Sequence, residues 1–437
     1  METLIAGIVV ILIAGVLSFL FLPRGRKRTA AANKSDVKPV VTIPRAALPD
    51  FPWDVLLNRP PARIELKHVE PYVRDNVVLV TGAGGSIGSE ICRQVSSLQP
   101  KQLLLMGHGE NSLFAIQQEL AESGFERTRI VLADVGDIQA VRNVFASGQP
   151  DIVLHAAAHK HVPILEQNVC EAVRNNIFGT HNVALAAAAA GTGRVVLLST
   201  DKAVNPTSVM GATKRACELI CQSFAHRTPT EFMSVRFGNV LGSRGSVLPL
   251  FIRQVQKGGP VTITHRDMER FFMTIPEAVS LVLEAMVMGY DGQVFVLDMG
   301  KPMKIIDVAR RVIEYHGLVP YRDIDIVETG MRPGERLYEE LLTEGEGMTR
   351  TSHERLYIAE QERVEYDLVA ASIAELQRAV RISDVKTTVT LLQTLVPSFT
   401  PGAHLAPRPE SVPVIHEVEA AARAASSSFT PAIAPAS

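Results

Sequence analysis

Thr200, Asp201 and Lys202 set a hydroxyl, a carboxylate and an amine side by side, and Met210 and Lys214 follow within the next dozen positions. Such a set can move protons. A carboxylic acid can give one to a departing oxygen, a hydroxyl can hold a reacting oxygen, and an amine can take a proton from carbon if its ammonium form is destabilised. Their placement depends on the segment before them. Arg194-Val-Val-Leu-Leu-Ser199 is an apolar, β-branched run that predicts a buried parallel strand. Residues 200–202 then lie at its carboxyl end, where open α/β sheets gather their ligands. The other reading of the same residues is a polar strand-to-helix turn in which Thr200 and Asp201 only cap.

A second motif bears on that choice. Asn76-Val-Val-Leu-Val80 predicts another strand, and it runs directly into Thr81-Gly-Ala-Gly-Gly-Ser-Ile-Gly-Ser-Glu90. Gly82 permits a tight turn, Gly85 lets backbone amides approach a pyrophosphate, and Gly88 allows a helix to pack closely on the strand. A strand, a glycine turn and a helix amino terminus in this order form a dinucleotide-binding context.

Further strands are predicted at 103–106, 130–132, 152–155, 195–199, 233–235 and 294–297, with helical patterns such as 112–120 and 172–189 between them. This alternation predicts an α/β fold, a doubly wound parallel Rossmann sheet over 62–241, with a smaller carboxyl-terminal lobe over 242–396 that interleaves with the sheet.

Composition narrows the function. The chain has 437 residues and a net charge of −2, so no basic field favours nucleic acid. The four cysteines, Cys92, Cys170, Cys217 and Cys221, are scattered and read as buried small hydrophobes. His155, His159 and His161 have no carboxylate at ligand spacing, and no metal is expected there.

The ends read differently from the middle. Leu4 to Leu22 is uncharged and, as a helix, spans about 28 Å, enough to cross a bilayer once. Pro23 to Arg28 follows as a basic cluster expected to stay inside, which predicts a single-pass inner-membrane protein (anchor 1–24) with a cytoplasmic catalytic part. Residues 25–61 read as a linker and 397–437, rich in Pro, Ala and Ser, as a disordered tail with one candidate helix at 417–425.

The order TGxxGxxG, STDK and MxxxK resembles the extended short-chain dehydrogenase/reductases, and within them the membrane-associated nucleotide-sugar 4,6-dehydratases that act on UDP-N-acetylglucosamine in polysaccharide biosynthesis. The likeness continues through His155-Ala-Ala-Ala-His-Lys-His-Val-Pro163, Asn175 to Thr180, Val235 to Val240, Arg270 to Thr274 and Arg332-Pro-Gly-Glu335, and spans roughly Asp54 to Val396. It implies NAD as cofactor. Gly82, Gly85, Ser86, Ile87 and Gly88 would hold its pyrophosphate, Asp134 and Val135 would lie beside its adenine, His155, Ala156 and Ala157 along its ribose and pyrophosphate, and Lys214 on the nicotinamide ribose. The acidic residue expected after the second strand is replaced by Gly107, which leaves Glu110 as a displaced ribose ligand or as a helix cap.

The resemblance also implies a mechanism: oxidation at C4, loss of water across C5 and C6, and return of the hydride to C6. Asp201 would protonate the leaving C6 hydroxyl, Lys202 would take the C5 proton, and Thr200 would hold the C4 oxygen. Burial, a positive nicotinamide and Lys214 would lower the Lys202 ammonium. Met210 stands where the superfamily keeps tyrosine, as in the branch that retains configuration at C5. Lys160, Asn239, Arg332 and Glu335 would bind the nucleotide sugar. Arg270 is expected to be structural. A homo-oligomer joined through helices is common in the superfamily. An epimerase, which needs no C6 acid and normally keeps the tyrosine, and an inactive membrane-tethered interaction protein are the alternatives.

Overall fold

Alternate residues of each central strand serve opposite faces of one sheet. Val77 and Leu79 of β1 (Val77–Thr81) join one apolar cluster, and Val78 and Val80 the other. The same split recurs in β2 (Gln102–Gly107) and β5 (Arg194–Leu198), so their central residues are apolar because both faces are covered. The computed structural model describes residues 56–57, 66–342, 347–361 and 364–405.

With β3 (Thr128–Leu132), β4 (Ile152–His155), β6 (Glu231–Arg236) and β7 (Val294–Leu297), these strands pair in parallel in the order β3-β2-β1-β4-β5-β6-β7. Two strands, 348–350 and 356–359, close the β7 edge antiparallel. The order reverses between β1 and β4, where Thr81 lies beside His155, and this opens a crevice at the carboxyl ends. Helices Ser86–Ser97, Glu110–Glu122 and Ile275–Met288 cover one face. Helices Ile138–Gly148, Gly179–Ala190 and Val209–Phe224 cover the other.

The small lobe has its own core, formed by helices Val247–Gln256 and Ile305–Tyr315 with two short strand pairs, 261–263 with 326–328 and 239–241 with 272–274.

Three boundaries read from composition move. Leu56 and Leu57, placed in the linker, are buried in the small-lobe core because two adjacent leucines suffice to anchor a polar stretch. Helices Tyr366–Arg381 and Val385–Leu395, assigned mainly to the small lobe, pack on the Rossmann core. The tail begins later than 397: Phe399 is buried in the same core, the Thr400 amide donates to the Pro206 carbonyl at 2.9 Å, and His404 lies 3.1 Å from Glu166. A single aromatic anchor outweighs the average composition around it. Among the described residues no helix is long and apolar enough to cross a membrane. Residues 4–22 and 417–425 lie outside the described residues.

Candidate active site

The glycine turn works by close approach. A Cβ on Gly88 would sit 2.1 Å from the Gly82 carbonyl oxygen, so only glycine lets the helix that begins at Ser86 lie against the turn. That helix amino terminus opens onto a cavity of about 500 Å³ lined by Gly82, Gly85, Ser86, Ile87, Gly88, Val135, Ala156, Ala157 and Lys160. An anion at this position would meet the helix dipole and free backbone amides.

His155 does not face that cavity. It is buried, with Nδ1 2.7 Å from the Thr81 hydroxyl and Nε2 3.0 Å from the Thr180 hydroxyl, and burial, with Lys214 adding to it, pushes its pKa down to about 3. Its part is to lock the ends of β1 and β4 so that Ala156 and Ala157 form the cavity wall. Glu110 is exposed at the first turn of its helix, and His108, Gly109 and Ser112 line the wall beside it. Asp134 is exposed and accepts the Gly136 amide at 2.7 Å.

Asn175 and Asn176, quoted in the resemblance without a role, sit in a π-helical turn at 173–178. Asn176 accepts the His159 amide at 2.8 Å and donates to the Thr213 hydroxyl at 2.9 Å, which ties the 156–161 loop to the helix carrying Lys214. Asn175 faces the cavity. A π turn at a functional site was the only sequence-independent signal for them.

Thr200, Asp201 and Lys202 form a chain of contacts. Thr200 caps the short turn 201–203 and also donates its hydroxyl to Asp201 Oδ1 at 2.9 Å, so the cap also contacts the neighbouring carboxylate. Asp201 is fully buried, and its Oδ2 has no hydrogen-bond partner among the described residues. Lys202 Nζ reaches Asp201 Oδ1 at 3.0 Å, Glu339 Oε1 at 3.2 Å and Asn239 Oδ1 at 3.3 Å. Asn239 therefore faces the lysine.

Gly211 sets this arrangement, because a Cβ there would stand 2.2 Å from the Lys202 carbonyl oxygen and hold the helix away. Met210 is 4% exposed and packed in the core one residue earlier. Lys214 is buried on the same helix, and among the described residues no carboxylate pairs with it.

One expectation is overturned. Burial would lower the Lys202 ammonium, but Asp201 and Glu339 outweigh it, and its pKa stands above the ordinary lysine value. Arg270 supplies opposing positive charge. Glu339, which sequence reasoning passed over, adds to the larger effect of Asp201. Its only sequence signal was a Glu-Glu pair just beyond the Arg332-Pro-Gly-Glu335 motif.

Arg332 bridges to Glu335 Oε1 at 2.5 Å and is 58% exposed, outside the cavity lining. Arg270 donates to the backbone carbonyls of Glu269, Leu337 and Arg336 and fixes the segment that carries Glu339. His159 lies 3.5 Å from Glu171, and among the described residues no group of His, Cys, Asp and Glu is arranged to hold a metal.

Behind the turn, the Ser199 hydroxyl donates to Glu218 Oε1 at 2.6 Å, and Arg236 and Arg215 bind the same carboxylate. Burial by itself would raise the Glu218 carboxyl, but Arg236, Arg215 and Ser199 hold its pKa down to about 2. A depressed folded-state pKa stabilises the fold above the unfolded value and is lost as pH falls through the folded one. Glu218→Gln is expected to cost about 3–5 kcal/mol at neutral pH, with a melting temperature that loses most of the parent's dependence between about pH 4.5 and 2. Thermal melts at both ends of that range check it; equal melts at pH 7 would remove the role.

A family model described as "Polysaccharide biosynthesis protein" matches residues 78–361. The chain belongs to that family. It is 49% identical over 324 residues to the capsular polysaccharide biosynthesis protein CapD of Staphylococcus aureus, which covers 73% of this chain and 54% of CapD. The chain spans about half the length of CapD and of a second such relative from Bacillus subtilis. It is 32% identical over 285 residues to a UDP-N-acetylglucosamine 4,6-dehydratase (inverting) of Campylobacter jejuni, covering 64% of this chain and 81% of that one. Other relatives at 34% identity are named UDP-glucose 4-epimerase.

Among solved structures, Pen from Bacillus thuringiensis superimposes with a TM-score of 0.63 at 35% identity over 68% of this chain and 92% of that one. The family member has the parallel α/β fold of the extended short-chain dehydrogenase/reductases.

Proposed function

We propose that this family member is an NAD-dependent nucleotide-sugar 4,6-dehydratase that removes water from UDP-N-acetylglucosamine for polysaccharide biosynthesis. The observation that carries the reading is the contact chain Thr200–Asp201–Lys202, which offers a carboxyl and an amine on one turn at the carboxyl end of β5. An epimerase has no use for an acid at C6, so a buried carboxyl held there with one oxygen free favours dehydration over inversion at C4.

The residues fit a dinucleotide. The Gly82–Gly88 contact leaves a cradle that a Cβ would fill, and Lys214 is a buried cation suited to ribose hydroxyls. Bound there, NAD supplies a reversible hydride acceptor. The chain's own residues do the rest. Thr200 holds the C4 oxygen and passes its proton to Asp201, Asp201 delivers that proton to the departing C6 hydroxyl, and Lys202 removes and later returns the C5 proton. Lys160 lines the same cavity and suits a phosphate. Met210 cannot relay a proton, which supports the branch that retains configuration at C5.

Incubating the protein with UDP-N-acetylglucosamine and NAD separates the readings. Loss of one water, with the C5 configuration read by NMR, is expected; unchanged mass with inverted C4 would make it an epimerase, and no reaction with either sugar form would leave the interaction protein. The apolar run 4–22 and its basic flank support a membrane anchor with the catalytic part inside. In spheroplasts, external protease should leave the catalytic part intact, and its digestion would overturn the orientation.

A further inference from the structure

We propose that Glu339 is a positioning residue that takes a proton from Lys202 and thereby frees the amine to act at C5; this rests on the dehydratase reading. Lys202 Nζ is hydrogen-bonded to Asp201 Oδ1 and Asn239 Oδ1 at 3.0 and 3.3 Å and ion-paired with Glu339 Oε1 at 3.2 Å. An ammonium so satisfied has no lone pair and cannot accept a proton from carbon. Unless the proton goes to solvent, which the 20% exposed side chain still meets, one of its acceptors must first take it. Asn239 cannot, which leaves the two carboxylates.

Proton counting decides between them. The overall reaction moves the C4 hydroxyl proton to the departing water, moves the C5 proton off and back, and returns to C6 the hydride taken from C4. Asp201 is the carrier of the first proton, because Thr200 links it to the C4 oxygen. An Asp201 that also held the Lys202 proton could not receive that one. Glu339 is free of this traffic. Its side chain is 3% exposed, and its Oε2 is buried with no hydrogen-bond partner among the described residues. That oxygen is an open position at which a proton can be received.

The sequence then balances. Lys202 ammonium and Glu339 carboxylate become amine and carboxylic acid, the amine takes the C5 proton as Asp201 gives one to the leaving hydroxyl, the ammonium returns its proton to C5, and Glu339 hands back the proton it held.

The surroundings are built for a held geometry. Arg270 Nε lies 3.4 Å from Glu339 Oε1, where its charge keeps the resting carboxylate in place and repels the Lys202 ammonium. Arg336 donates to the carbonyls of Val204 and Asn205 and fastens the Glu339 segment to the turn that carries Lys202. The charged groups facing Lys202 are thus Asp201, Glu339 and Arg270.

The test is the pH dependence of water elimination in Glu339→Gln. In the parent the proton moves within the pair, so elimination should be flat across about pH 6 to 9. In the variant the lysine must lose its proton to solvent, and the rate should climb about tenfold per pH unit until the amine is free. Glu339→Asp, which restores a carboxyl, should bring back the flat profile. A Glu339→Gln profile parallel to the parent's, at whatever level, would overturn the proposal.

A second measurement needs neither substrate nor cofactor: the pH at which Lys202 becomes half-reactive toward an acylating reagent, read by peptide mass spectrometry. It should fall by about a unit or more in Glu339→Gln, and an unchanged midpoint would overturn the coupling. A lowered midpoint in a protein that releases no water from UDP-N-acetylglucosamine would uphold the pairing of Glu339 with Lys202 and count against the dehydratase reading alone.

Discussion

Lys202→Met is expected to abolish water elimination while NAD and UDP-N-acetylglucosamine still bind. Methionine keeps much of the volume but has no amine, and Asp201 on the same turn is occupied with the C4 and C6 protons. Losing a positioned base costs about 100-fold to 10,000-fold in rate, and here the C5 proton would have no acceptor. Binding should survive because the glycine cradle and the Lys160 side of the cavity lie on other elements. The change also strips Asp201 and Glu339 of a shared counterion, so the fold should lose stability measurably; a thermal melt must show the variant folded before the rates are compared. Single-turnover product mass and equilibrium binding are the readouts. Full turnover would refute the role of Lys202, and lost binding would make the lysine a ligand-holding group.

The second large effect separates Thr200 from Met210. Thr200→Val removes a hydroxyl from a similar shape and breaks the 2.9 Å link to Asp201, so the C4 proton loses its route. The expected loss is about 100-fold or more. Met210→Leu, nearly conserved in volume at a site 4% exposed, should cost less than about 1.5 kcal/mol in stability and leave substantial activity. The pair isolates a proton path from packing. If Thr200→Val matched the parent and Met210→Leu failed, the methionine would be placing the sugar and the proton would leave by another group.

How far the chain could be read differs by the kind of force involved. The strands at 77–81, 152–155 and 194–198 were legible because a strand buried on both faces must be apolar at every position, a signal that lies within five consecutive residues. The glycine turn was legible for a similar reason: Gly88 is required by its contact with the nearby Gly82, and Gly82 by its own left-handed backbone at φ +67°. Asp201 and Lys202 needed only their place at a strand end. The buried anchors at the margins were not legible, since Leu56, Leu57 and Phe399 are single apolar residues in polar surroundings whose partners lie far along the chain.

The protonation of Lys202 belonged to tertiary structure alone. Residue type and position named a base, and burial pointed the same way, but electrostatic energy depends on the distance between charges, and nothing in the order of residues brings Glu339 to 3.2 Å from that nitrogen. The sequence by itself determined the sheet, the cradle and which groups can carry protons. Folding decided which group holds each proton at rest, because Arg270 and Arg336 pin a distant irregular segment against the catalytic turn.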